Sequence, residues 1–131
     1  MKSHYFSETK DNYIQMTVSG EYDFDDFKTY LKIIYAKCEN EGIFNMVLDC
    51  LDIDGIDIPT LERYFLGVEV AEQLTHMIKL AVVWHIEYTT YLAQAVAVNI
   101  GANIRVFENT DTALEWLLFG INDRYLNIDQ P

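Results

Sequence analysis

Four aspartates near the middle of the chain are the residues whose type and spacing could do chemistry. Asp49, Asp52, Asp54 and Asp57 come directly after the apolar run at 46–48 (MVL). Closely spaced carboxylates can hold a cation, act as nucleophile or general acid, or attract a basic partner. The apolar run predicts a strand and the aspartates a loop. Because ligands and partners meet an α/β domain where a strand ends and the next helix begins, we predict the site in this loop.

The first chemistry to test is phosphate hydrolysis. Residues 51–56 (LDIDGI) are similar to the DxDG signature of haloacid-dehalogenase-type phosphatases, in which the first Asp is the nucleophile, the second is a general acid and Mg²⁺ assists. The usual Thr of that motif is replaced here by Ile56, and Lys79 is the only Lys after the loop. Little chain remains for the second acidic pair. A Mg²⁺-dependent phosphatase is therefore the third choice, and the sequence favours a protein that is not an enzyme.

A calcium loop is the second chemistry to test. With Gly55 at the sixth position, an EF-hand would need a ligand at Cys50 and a Glu at Leu61, and both are absent. A cation could still bind adventitiously to the aspartates. A solvated turn, in which Asp and Gly serve backbone preferences, explains the pattern better. We predict no metal site and no cofactor.

His85 follows an apolar run at 78–84 (IKLAVVW) that is typical of a central strand. If this strand runs parallel to the first, His85 lies at the same sheet edge as the aspartates, where it could act as a general base. An ordinary loop histidine is the simpler interpretation. No Ser lies in a nucleophile-elbow context and no Gly-rich phosphate loop is present. The sequence thus predicts no catalytic residue.

Strands and helices alternate along the chain, which predicts an α/β domain with a four- or five-stranded mixed sheet and about four helices. We predict a single domain over residues 1–131, with a core at about 12–118 and a tail at 119–131. The predicted strands are 4–7, 13–18, 45–51, 78–84 and 103–107. The predicted helices run from a cap at Asp23 or Asp25 to Glu41, from 59 to 74, from a cap at Thr89 or Thr90 to Ile100, and onward from a cap at Thr110.

The charge balance narrows the classes of partner. The 131 residues carry 21 acidic and nine basic side chains, a net charge of −12. This excess opposes binding to nucleic acid and to anionic membranes, and a basic protein partner fits it better. The N-terminus lacks the apolar segment of a signal peptide, and no apolar run reaches the roughly 20 residues of a membrane span. The two cysteines, Cys38 and Cys50, are predicted to be small, buried hydrophobic residues. We expect a cytoplasmic protein.

Apolar side chains surround the second predicted helix on nearly all sides. Tyr64 and Phe65 lie in this helix, and Tyr88 and Tyr91 precede or open the third. A helix that is apolar all round is usually buried or covered by a partner. One hypothesis is a partner or homodimer interface along this helix. The alternative is an apolar pocket between the two helices that holds a small molecule or a lipid-like ligand.

The order of elements and three local patterns resemble the STAS domain family, in particular the stand-alone branch of SpoIIAA-like anti-sigma-factor antagonists. The patterns are the strand that ends near Asp49 and leads to Asp57, the run at 78–84, and the segment at 105–117 (RVFENTDTALEWL). The resemblance covers about 12–118 and implies a small mixed sheet backed by helices. It also implies a binding or regulatory module.

In those antagonists a Ser before the second helix is phosphorylated, within a stretch that usually reads Asp-Ser-Ser-Gly. The matching stretch here reads Asp57-Ile58-Pro59-Thr60. Asp57 matches, but Ile and Pro cannot accept phosphate, and Thr60 stands at the Gly position. The resemblance therefore implies a regulatory module without the usual phosphoacceptor, whose contact loop is formed by the four aspartates and Thr60.

Overall fold

The computed structural model describes residues 1–54, 57–85, 88 and 90–120. Within these residues five strands and four helices alternate, which confirms the predicted α/β class. The predicted tail from Ile121 onward lies outside the described residues. The elements are β1 (Ser3–Thr9), β2 (Ile14–Glu21), α1 (Phe24–Glu41), β3 (Asn45–Asp54), α2 (Thr60–Leu74), β4 (Lys79–Val83), α3 (Leu92–Ile100), β5 (Asn103–Phe107) and α4 (Thr110–Phe119).

The five strands form one mixed sheet in the order β1-β2-β3-β4-β5. β1 is antiparallel to β2, and the other neighbours are parallel. Because the order advances in one direction and crossovers are right-handed, the three crossover helices α1, α2 and α3 share one face. α4 packs on the other face, against β3 and β4.

Each face of the sheet has its own apolar core. Met46 and Leu48 of β3 point to the side of α1 to α3, whereas Val47 points to α4. This alternation is the period of two of a strand. Strands covered on both faces become apolar at successive positions, which explains the continuous apolar runs in β3 and β4. The α4 core combines Val47, Ala81, Val83, Phe107, Ala113, Trp116 and Leu117.

The helix ends confirm one predicted cap and correct another. Asp23 caps α1 by accepting a hydrogen bond from the backbone N–H of Asp26 at 3.0 Å, as one of the two predictions had it. Asn109, not Thr110, caps α4, since its side chain accepts from the N–H of Thr112 at 2.9 Å. Asn is among the best capping residues, and the sequence offers two adjacent candidates.

The start of α3 differs from its prediction too. Tyr91 takes the N-cap position with φ 59°, and the hydroxyl of Thr90 accepts from the N–H of Leu92 at 3.4 Å. Thr89, the alternative cap, lies outside the described residues. No helix among residues 1–54, 57–85, 88 and 90–120 is long and apolar enough to cross a membrane.

Strand β3 extends three residues beyond its predicted end at Leu51. Its last part pairs with β2 through Ser19 and Asp52, Gly20 and Ile53, and Glu21 and Asp54, after an irregularity in the register. The neighbouring strand thus supplies hydrogen bonds that local sequence does not reveal. Asp52 and Asp54 are therefore strand residues and their assignment to a loop was wrong, whereas Asp49 lies within the predicted strand 45–51.

Candidate functional site

The acidic segment is mostly a solvated surface. Asp49 is partly buried and its carboxylate accepts from the N–H of Leu51 at 3.1 Å. Asp52 and Asp54 are exposed on either side of buried Ile53. Among the described residues, no group of three His, Cys, Asp or Glu side chains is placed to hold a metal ion. What this segment offers is negative charge at the end of β3.

Asp57 and Thr60 lie where the second helix begins. Asp57 precedes α2, and its side chain is 95% exposed. Thr60 is the first helical residue and is exposed, while Pro59 holds the N-cap position without a side-chain cap bond. The Thr60 hydroxyl makes no hydrogen bond to any residue in the described part of the chain. It stays a candidate switch residue of the contact loop.

Tyr22 connects the acidic end of β3 to α2. Its N–H donates to the carbonyl oxygen of Asp54 at 2.9 Å, and its hydroxyl donates to a carboxylate oxygen of Glu62 at 2.8 Å. Burial, followed by this bond and the negative charge of Glu62, raises the pKa of the Tyr22 phenol. Tyr22 thus links the backbone of Asp54, at the end of β3, to the Glu62 carboxylate in the first turn of α2.

His85 lies at the same sheet edge, as its strand predicts. Its Nε2 is 2.8 Å from the carbonyl oxygen of Leu51 in the adjacent strand β3. A carbonyl only accepts, so Nε2 carries the proton in this bond and is not available as a base there. The His85 ring also contacts Tyr88 edge-on, with ring centroids 6.3 Å apart. These contacts join His85 to the backbone of β3 and to the ring of Tyr88.

The four predicted aromatic residues do not converge on one place. Tyr64 and Phe65 are 46% and 44% exposed on the outer side of α2, where their rings meet edge-on at 5.5 Å. With Leu61 they follow the i, i+3, i+4 spacing of one helix face. Tyr88 is also exposed. Only Tyr91, of these four, borders the cavity described next.

A cavity of about 110 Å³ lies between α2, α3 and the sheet. Its floor is formed by side chains of β3, β4 and β5 and its walls mainly by side chains of α2 and α3, and Phe27 and Leu31 of α1 complete the lining. The alternative hypothesis placed an apolar pocket between these helices, and of its aromatic residues Tyr91 borders this cavity. The apolar lining includes Leu48, Leu66, Val70, Leu80, Trp84 and Ile104.

Gly67 allows α2 and α3 to pack closely together above this cavity. A Cβ at Gly67 would lie 2.5 Å from the carbonyl oxygen of Ala93 and 2.8 Å from Cβ of Val96. Real Cβ atoms do not approach other atoms so closely, so only glycine lets α2 meet α3 at this point. The sequence contains this signal as an isolated glycine within a helical pattern.

Arg63 is the site residue that sequence reasoning missed. It is only 9% exposed and it borders the cavity. Its Nε–H donates to the carbonyl oxygen of Ile58 at 2.7 Å, and a terminal N–H donates to the hydroxyl of Thr90 at 3.2 Å. The guanidinium thereby joins the segment before α2 to the segment before α3. A signal existed: Arg63, Gly67, Val70 and Leu74 share the inward spacing of one helix face.

Comparison with known proteins assigns the family. A model of the SpoIIAA-like family matches residues 13–118. None of the curated proteins matches the chain. A solved anti-sigma factor antagonist from Mycobacterium paratuberculosis is similar, with 17% identity, a TM-score of 0.60 and coverage of 88% of this chain and 93% of that one.

A second solved structure is an uncharacterized protein of the DUF3478 family from Shewanella loihica PV-4, which has a SpoIIAA-like fold. It shows 16% identity, a TM-score of 0.51 and the same coverage, 88% of this chain and 93% of the other. At such identities the likeness concerns the fold. It confirms the predicted resemblance to STAS and anti-sigma-factor-antagonist domains. Since the family match spans most of its length, the chain belongs to the SpoIIAA-like family.

Proposed function

We propose that this protein is a cytoplasmic, non-enzymatic regulatory module that binds a partner protein through α2. The observation that carries the proposal is the outward face of this helix, where Leu61, Tyr64 and Phe65 are exposed together. Clusters of exposed aromatic residues are enriched at protein interfaces. We call these three side chains the α2 patch.

The charge around the α2 patch defines the chemistry of the partner. Glu62 lies in the first turn of α2, Tyr22 links it to the backbone of exposed Asp54, and Asp57 is exposed just before the helix. The whole chain adds to this with its net charge of −12. Opposite charge steers partners together and discriminates among them. The occupant we propose is a protein with a basic rim around an apolar contact.

A matched pair of double variants tests this surface. The full chain, tagged and expressed in its own cells, is used to capture proteins before and after Tyr64→Ser with Phe65→Ser. The control is Tyr5→Ser with Phe6→Ser, which removes the same ring types from exposed positions on β1, 42% and 56% accessible. We expect a protein whose capture is lost in the α2 variant, is kept in the control and weakens as salt is raised.

Two results would overturn this proposal. One is a set of captured proteins that is identical for the wild type, the α2 variant and the control. The other is a partner that binds equally well at low and high salt and binds the α2 variant as well as the wild type. Sedimentation of the purified wild type and the α2 variant tests the homodimer hypothesis, because a self-association through this face must be lost in the variant.

Modification of Thr60 is part of the same proposal. Its exposed hydroxyl lies at the N-terminus of α2, where the helix dipole favours negative charge. Intact-mass analysis of protein from its own cells, followed by peptide mapping, tests it. A phosphate on Thr60 supports a switch at this position, and an unmodified Thr60 in cells grown under varied conditions counts against one.

The cavity favours a second candidate function, the binding of a small molecule between α2 and α3. Its walls are apolar and it has a volume of about 110 Å³, which is large enough for a small apolar group. Native mass spectrometry of protein purified from its own cells should detect a retained small molecule. Val70→Phe would fill the cavity, and we expect it to remove that ligand while leaving partner capture intact. Retention of the same small molecule by Val70→Phe would contradict this function.

A further inference from the structure

We propose that the cavity between α2 and α3 binds a small monocarboxylic acid, whose apolar body fills the cavity and whose carboxylate pairs with Arg63. This rests on the second function proposed above and adds the chemical class of the ligand. It also gives Arg63 a role as the anion-binding residue of the site.

The first support is the state of the Arg63 guanidinium. An arginine has five N–H donors, and two of them make the hydrogen bonds to Ile58 and Thr90. The others make no hydrogen bond to any residue in the described ranges. Among the described residues, the carboxylate that pairs with Arg63 is that of Asp57, 3.7 Å from a terminal nitrogen, and the Asp57 side chain is 95% exposed. Water therefore screens this ion pair strongly, and it neutralises the buried cation poorly.

The second support is the cost of such a buried cation. A charge that is removed from water is unfavourable unless an anion or several hydrogen bonds compensate it. A carboxylate fits the planar guanidinium in a bidentate arrangement, which gives two charge-assisted hydrogen bonds at once. A neutral ligand would leave these donors unused.

The third support is that the rest of the cavity offers little to a polar molecule. The side-chain oxygen of Gln94 already accepts from the N–H of Val106 at 2.8 Å. Arg63 is the charged residue among the described residues that border the cavity, and Leu66, Val70, Leu80 and Ile104 are apolar. A ligand that satisfies both regions has one anionic end and one hydrocarbon end.

The volume sets the size of that hydrocarbon end. At about 30 Å³ per water-sized group, 110 Å³ holds about four methylene-sized groups. An engineered dry cavity of about 150 Å³ binds benzene, which is a similar scale. We therefore infer an acid of about four to six carbons. A long acyl chain would need the helices to separate, which the close contact at Gly67 opposes.

The test compares three probes on the full wild-type chain by calorimetric titration and by chemical shifts of backbone amides. Hexanoate carries both ends, 1-hexanol keeps the hydrocarbon without the charge, and inorganic phosphate supplies an anion without the hydrocarbon. We expect hexanoate to bind at least roughly tenfold more tightly than either of the others. 1-Hexanol lacks the charge-assisted bidentate contact, and phosphate lacks the apolar group that is buried. The shifted amides should belong to α2 and α3.

Variants then locate the anion contact. Arg63→Gln should remove most of the preference for hexanoate over 1-hexanol, and Arg63→Lys should keep part of it. Lys37→Gln is the matched control, since it removes one positive charge from α1, where Lys37 pairs with Glu41 at 3.8 Å. Thermal unfolding verifies that each variant is folded. The comparison of probes on the wild type does not depend on any variant.

The outcomes separate this inference from the function on which it rests. If 1-hexanol binds as tightly as hexanoate, the role of Arg63 as anion site is wrong and the pocket function stands. If phosphate binds as tightly as hexanoate, the hydrocarbon end is wrong. If no probe binds, the proposed ligand class is wrong, and the retained-ligand measurement on Val70→Phe still decides the pocket function by itself.

Discussion

Asp26 and Arg63 are the charged side chains that the described part of the chain buries, and their surroundings differ. One carboxylate oxygen of Asp26 accepts from the N–H of Lys2 at 3.0 Å, from the N–H of Ser3 at 3.0 Å and from the hydroxyl of Ser3 at 2.8 Å. The Ser3 hydroxyl also bonds to that of Tyr30. One oxygen of Asp26 thus attaches β1 to α1 through three hydrogen bonds, whereas Arg63 makes two side-chain hydrogen bonds to described residues.

The Asp26 network predicts a pH-dependent stability. Burial acts to raise the pKa of Asp26, but the hydrogen bonds from Ser3 and Lys2 outweigh it and hold the pKa below its usual value of 3.8. A carboxyl with a lowered folded pKa stabilises the fold above its unfolded pKa, and this contribution is lost as pH falls through the folded pKa. Asp26→Asn should cost about 1–3 kcal/mol of unfolding free energy at pH 7.

Urea unfolding of wild type and Asp26→Asn at pH 7 and near pH 3 measures this. We expect the difference between them to shrink at the lower pH. Asp25→Asn is the control, because Asp25 is its exposed neighbour in the same helix turn. Equal effects of the two substitutions at pH 7 would show that the Ser3 contacts contribute nothing to stability.

The two thiols predict slow modification of the native protein. Cys38 and Cys50 are free and buried, as the sequence indicated. Burial raises the pKa of Cys38 to about 11 and that of Cys50 well above its ordinary value. Since the thiolate is the reactive form, an Ellman-type reagent at pH 8 should label neither thiol until the chain unfolds. Prompt labelling of one thiol in the folded protein would contradict this.

At the scale of elements, α2 separates two functions on its two faces. Leu61, Tyr64 and Phe65 point outward, whereas Arg63 and Gly67 point to the cavity and to α3. The arrangement follows from 3.6 residues per turn, which places residues three and four apart on one side. A partner on the outer face and a ligand on the inner face would therefore share one helix.

The contact between α2 and α3 predicts the effect of Gly67→Ala. Intrinsic helix propensity would make this substitution stabilising. The new methyl group would instead meet the backbone of Ala93 and the side chain of Val96, and overpacking costs about 1–3 kcal/mol. We expect a lower midpoint in urea. Glu72→Ala, on the exposed side of the same helix, is the control, and a Gly67→Ala protein as stable as wild type would show that the helices can separate freely.

The elements could be predicted from sequence where local signals suffice. The apolar runs of β3 and β4, the spacing in α1 and the glycine after it were enough to place those elements within a few residues. The last three residues of β3 could not be predicted, because their strand geometry depends on pairing with β2. The cavity could not be predicted either, since its lining comes from three strands and three helices whose relative positions no local pattern contains. Arg63 could have been found from its position on the inward face of α2.

At the scale of the whole molecule, the strand order explains where the cavity lies. In doubly wound sheets a crevice opens at the strand ends where the order reverses. Here the order β1 to β5 never reverses, so the three crossover helices pack side by side on one face. The space instead lies beneath α2 and α3.

The net charge predicts how salt affects the fold. With 21 acidic and nine basic side chains, the compact chain repels itself at neutral pH. Added salt screens this repulsion, so the melting temperature should rise between about 20 mM and 500 mM sodium chloride. A calorimetric scan at several salt concentrations measures it. A melting temperature that falls as salt is added would mean that attractive ion pairs dominate.

The agreement between strand order and chain order has a consequence for synthesis on the ribosome. Each strand that emerges finds its neighbour already made, so the sheet can grow from β1 outward without waiting for a later strand. The helix that covers the opposite face is the exception. Until Trp116 and Leu117 of α4 have been translated, Val47, Ala81 and Val83 remain uncovered. The nascent chain is therefore most prone to aggregation just before α4 leaves the exit tunnel.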